Sequence, residues 1–106
     1  MNINELKQWA INNDIERRTL NAFWKTMDNY KEENPDEFNE VFGNIDLSKF
    51  YLKVNAVSLN LGNWPECSYV TISASLPIYY ENKSIGHYKT LYTIDGEEED
   101  DFFDIY

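Results

Sequence analysis

The strongest constraint on the fold is a change in the spacing of apolar residues between residues 43 and 50. Before it, Leu20, Phe23, Trp24 and Met27 fall at i, i+3, i+4 and i+7, the buried stripe of a helix. After it, Phe50, Leu52 and Val54, and then Val70, Ile72, Ala74, Leu76 and Ile78, recur at every second position, as in strands with one buried face. Helical and strand periods that are segregated along a chain predict an α+β domain. Here two or three N-terminal helices pack on one face of a three- to four-stranded antiparallel meander. The 106 residues fit one domain over 1–106, with a helical part at 1–43 and a sheet at 49–106 ending in an acidic segment.

Within the helical part, Asn2 caps a short first helix that sets Ile3, Leu6, Trp9 and Ala10 on one face. Asn12, Asn13 and Asp14 interrupt it, and Asp14 is placed to cap the second helix. Asn34-Pro35-Asp36-Glu37 reads as a third start, with Asn34 as cap, Pro35 in the first turn and Glu37 returning a bond. Phe38, Val41 and Phe42 form its apolar face, and Gly43 ends it.

Within the sheet, the apolar parity switches after Ala56, to Val57, Leu59 and Leu61. This predicts a bulge near Asn55–Ala56. Pro77 cannot donate to a ladder, so pairing on one side should stop near it. A loop over Glu81–Gly86 precedes a strand from about His87 to Ile94. Pairing Ile78 with Tyr88 puts Ala74 beside Tyr92, Ile72 beside Ile94 and Tyr79 beside His87. Ser73, Ser75, Tyr79, His87, Lys89, Leu91 and Thr93 then face solvent. Asp95-Gly96 turns the chain, and Glu97–Tyr106 is expected to form a fourth, edge strand guarded by Asp100, Asp101 and Asp104. In layout alone, this order resembles cystatin-like folds, in which a helix lies across a curved antiparallel sheet.

Charge is distributed unevenly. The net charge is −10, of which residues 95–106 contribute −7 with seven acids and no base. Such a surface repels phosphate backbones and anionic membranes, and only Arg17 and Arg18 sit together, which argues against direct nucleic-acid binding. The apolar runs are too short to span a membrane, no signal-type segment opens the chain, and one cysteine cannot form an internal disulfide, so a cytoplasmic address is expected.

No constellation for catalysis stands out. Cys67 and His87 are the single members of their kinds and are expected far apart on the sheet. Zinc lacks ligands, and the acids of Asp95–Asp101 do not follow calcium-loop spacing, because Gly96 comes second in the run. The glycines at 43, 62, 86 and 96 form no phosphate loop. The expectation is a non-enzymatic protein with no cofactor and no metal.

The composition fits a binding protein that occludes a basic partner, such as a nucleic-acid-handling protein, in the manner of an immunity or phage anti-defence factor. In one version its carboxylates imitate phosphates. Glu97, Glu98, Glu99, Asp100 and Asp101 are the candidate steering charges, with Trp64, Tyr79 and Tyr106 as candidate anchors. Two other readings are a cystatin-like domain enclosing a small apolar ligand, and an accessory protein, monomer or homodimer, whose last strand pairs with a copy of itself.

Overall fold

The computed structural model describes residues 1–106. Three helices come first: α1 (Ile3–Asn12), α2 (Ile15–Glu33) and α3 (Pro35–Phe42). A 3-10 turn at Leu47–Lys49 leads into an antiparallel sheet of β1 (Phe50–Leu52), β2 (Ala56–Gly62), β3 (Tyr69–Tyr80), β4 (Lys83–Tyr92) and β5 (Glu98–Ile105). The sheet runs β1-β3-β4-β5, and β2 continues the β1 edge alongside β3. The α+β architecture expected from the change of period is therefore present.

The sheet has five strands where three or four were expected, because the first long strand is broken in two. Leu52 lies opposite Ile78 and Ala56 opposite Ser75, so Lys53–Asn55 face only Leu76 and Pro77. One extra residue has entered the edge, and Asn55 N donates to Ser75 O over 3.0 Å. The bulge keeps Leu52, Val57 and Leu59 on the helix side despite their change of parity. Pro77 lies opposite this break, where a missing N–H matters least.

Helix α2 covers β3 and β4. Its buried side chains are Ile15, Thr19, Phe23 and Met27. Phe23 stacks on Trp24 at 5.1 Å and meets Phe50, Tyr88 and Phe103 at 5.8–6.2 Å, so the aromatic residues fill the core against one another. A second buried cluster joins Ile15, Ala74 and Tyr92, flanked by Trp9, Ala10 and Val54. Between the two lies a polar node: Thr19 Oγ1 sits 3.1 Å from Thr90 Oγ1 and 2.9 Å from the Tyr92 hydroxyl. Trp9 reaches the sheet as well, donating Nε1–H to Ile94 O at 2.7 Å.

Several local expectations are corrected. Asn2 does cap α1, in a box with Glu5, but Ile3 on the supposed apolar face is 85% exposed. That face lines an open groove against Val54 and Val57 and is not closed over by the sheet. Asp14 makes no side-chain cap. It takes a left-handed conformation at φ 52° and ion-pairs with Arg17 at 2.6 Å. Asn34 likewise makes no side-chain cap, and Val41 is exposed.

The β3–β4 register is slipped by two residues from the expected one. Leu76 faces Tyr88, Ala74 faces Thr90, Ile72 faces Tyr92 and Pro77 faces His87. The cause is the turn. Instead of a loop over Glu81–Gly86, Glu81 and Asn82 alone reverse the chain, both at positive φ, as a two-residue hairpin turn requires. A bulge at Ile85 then restores the faces. Ser73, expected in solvent, is buried.

Candidate functional site

The acidic segment is an edge strand, as expected. Its turn is closed by Gly96 N donating to Thr93 O and by Thr93 N donating to Glu97 O, at 2.9 and 2.7 Å. Gly96 is needed there for its φ of +91°, a backbone conformation that other residues rarely adopt.

The five candidate steering acids do not form one patch. Leu91 pairs with Asp100 and Tyr92 with Glu98, which leaves Glu99 as an extra residue in a bulge. The bulge shifts the parity. Glu98 and Asp101 therefore both turn toward α2, where they line a polar cleft with Arg18, Asn21, Lys25, Thr26 and Asn29. Asp100 lies on the opposite face, and its Oδ1 accepts from the Asp101 N–H at 2.8 Å. Glu97 remains exposed in the turn.

Asp101 is a framework residue. Its Oδ2 accepts from the Tyr88 hydroxyl at 2.8 Å and from Thr26 Oγ1 at 3.1 Å, tying β5 to both β4 and α2. Tyr88 is fully buried. Burial, reinforced by the charges of Asp101 and Glu98, holds its phenol well above the usual tyrosine range, so it stays a protonated donor. No local pattern marked Asp101 apart from its acidic neighbours.

The three candidate anchors are scattered. Trp64 projects from the β2–β3 turn and is 75% exposed. Tyr79 lies toward the other end of the sheet, edge-on to Tyr51 at 6.4 Å. Tyr106 follows β5, bonded through its N–H to Ile85 O at 2.9 Å. There it borders a hollow of about 250 Å³ with Val41, Phe42, Tyr80 and Ile85. Of the three, only Tyr106 adjoins the acidic strand. Phe102, which was not singled out from the sequence, lies on the outer face of β5 opposite Lys89, whose ammonium sits 5.2 Å from its ring centre.

Few carboxylates are neutralised. Of the nineteen, only Asp14 and Glu81 have a cationic partner within ion-pair distance. Glu81 holds the Lys49 ammonium above its usual range, and Ser48 bonds hold Asp46 below the carboxylate range. No three histidine, cysteine or carboxylate side chains converge as metal ligands. Cys67 sits in the β2–β3 turn, with most of β3 between it and the level of His87. The largest open groove lies elsewhere, about 520 Å³ between α1 and the β1–β2 bulge, lined by Ile3, Leu6, Ala10, Ile11, Val54 and Val57.

No helix is long and apolar enough to cross a membrane. No protein-family model matches the chain, no curated protein matches its sequence, and no solved structure matches its fold.

Proposed function

We propose that this protein is a non-catalytic acidic binding protein that occludes a basic, nucleic-acid-handling protein partner in the cytoplasm, in the manner of an immunity or anti-defence factor. One observation carries the reading. A run of carboxylates, Glu97–Asp101 with Asp104, is held on a sheet edge, and no cation of the chain pairs with any of them in an ion pair. An ordered acidic edge is a fixed charge array. It steers a basic surface toward itself, and arginine and lysine on that surface neutralise it on contact. Glu97, Glu99, Asp100 and Asp104 are the solvent-facing charges that do this. Phe102 and Tyr106, 50% and 75% exposed beside them, are the apolar contacts nearest to hand.

The test is a variant carrying Glu97→Gln, Glu99→Gln, Asp100→Asn and Asp104→Asn, with the framework acid Asp101 left intact. Affinity capture from lysate is run with wild type and variant, at low and high salt. The expected result is a basic protein retained by wild type at low salt, released at high salt and lost from the variant. The purified partner should release nucleic acid when wild type is added, and association with the variant should slow by about tenfold or more. Equal retention by both proteins, or retention indifferent to salt, overturns the proposal.

A further inference from the structure

The two edges of the sheet are built in opposite ways. Strand β5 carries Glu98, Glu99, Asp100, Asp101 and Asp104, so pairing it with a copy of itself would set carboxylate against carboxylate. Strand β2 pairs only with β3, and residues 54–65 around it hold no charged side chain. It has no lysine, no proline and no covering helix on its free side, the usual protections of an edge. Every second residue along it turns its N–H and C=O away from β3, with no strand to receive them.

We infer that the free edge of β2 joins a second copy of this chain, antiparallel about a two-fold axis near Leu59, to make one continuous sheet. Three features favour a copy over a foreign segment. First, the strand is self-complementary. About Leu59, Val57 lies beside Leu61 of the copy on the helix side, and Ser58 lies beside Asn60 of the copy on the outer side. Apolar thus meets apolar and polar meets polar. Second, the first charges flanking the strand are Lys53 before it and Glu66 after it. Antiparallel pairing brings opposite signs to each end. Third, the acidic edge is remote. The two β5 strands would lie seven strand spacings apart, about 34 Å, several times the screening length at physiological salt.

Apolar surface beside this edge adds to the contact. Leu61 is 52% exposed, and the groove beneath α1 exposes Ile3 and Ile11 at 85% and 61%. The alternative reading in which the last strand pairs with a copy of itself would set like charges together at β5, whereas the free edge of β2 carries none.

The test is sedimentation velocity over a range of concentrations. Wild type should reach twice the 12.6 kDa chain mass. In the register above, Ser58→Lys with Asn60→Lys sets two lysine pairs directly opposite each other. It should weaken the dimer at least about tenfold while circular dichroism is unchanged. Ser58→Glu with Asn60→Glu should do the same. An equimolar mixture of the two variants should restore the dimer, because every cross-strand pair becomes Lys–Glu. Neutralising Glu99 and Asp100 on β5 should leave the wild-type dimer intact. A wild type that stays monomeric at every concentration, a lysine variant that dimerises like wild type, or a mixture that stays monomeric overturns the inference. An extended foreign peptide binding at this edge while the chain remains monomeric overturns it too.

Discussion

The Tyr88 hydroxyl donates to Asp101 Oδ2 at 2.8 Å, so one acid of the C-terminal run belongs to the framework of the fold. Tyr88 is fully buried, and Thr26 of α2 bonds the same carboxylate oxygen. The acidic segment is therefore positioned by one of its own members, and its charges divide into one that is tied by hydrogen bonds to β4 and α2 and others that are free to meet a partner.

Replacing Asp101 with alanine should cost about 1–3 kcal/mol, because the Tyr88 hydroxyl loses its acceptor in the interior. Asp100→Asn, on the other face and exposed, should change stability by less than about 0.5 kcal/mol. Urea unfolding of the two variants measures the difference, and equal effects would show that Asp101 has no framework role.

The same tyrosine shapes the alkaline limb of the stability curve. Its phenol is held above the usual value in the folded chain. Below about pH 10 both states keep the proton and nothing changes. Above that, the unfolded chain releases its proton and the folded one does not, so stability falls with a slope of up to about 1.4 kcal/mol per pH unit. Tyr88→Phe should flatten this limb, as denaturant midpoints between neutral and strongly alkaline pH will report.

Thr19 should resist even its closest isostere. Thr19→Val keeps the shape but removes the oxygen that meets both Thr90 Oγ1 and the Tyr92 hydroxyl. Two interior hydroxyls then lose a partner, at a cost of about 1–3 kcal/mol. The double change Thr19→Val with Thr90→Val should cost less than the sum of the single ones, and a double-mutant cycle in urea reads the coupling.

Gly86 should act as the clamp on the end of β5. It is buried opposite Ile105, and a side-chain carbon there would run into the carbonyl oxygen of Asp104. Gly86→Ala should push the strands apart at a cost of about 1–3 kcal/mol. Amide exchange should quicken in residues 102–106 while the α2 amides keep their relative protection.

Much of the architecture was legible along the chain. The stripe from Leu20 to Met27 defined α2, the alternation from Val70 to Ile78 defined the inner face of β3, and the parity switch after Ala56 located the first bulge. These are local signals, because a side chain's face depends only on the period of its own element. The register of β3 with β4 was not legible, since a slip of two residues leaves every side chain on the same face. The two-residue turn at Glu81-Asn82 and the bulge at Ile85 together made Leu76, not Ile78, the neighbour of Tyr88.

The acidic run shows the same division most clearly. Its composition alone determined that residues 95–106 carry net charge −7 and could guard a sheet edge. Which acids face which way was decided by the Glu99 bulge, which turns Glu98 and Asp101 toward α2 and leaves Asp100 outside. A bulge depends on both strands, here on Leu91 and Tyr92 taking Asp100 and Glu98 as partners with Glu99 left between them. Charge is a property of residues and can be summed along a chain, whereas direction is a property of pairing and exists only once the strands have met.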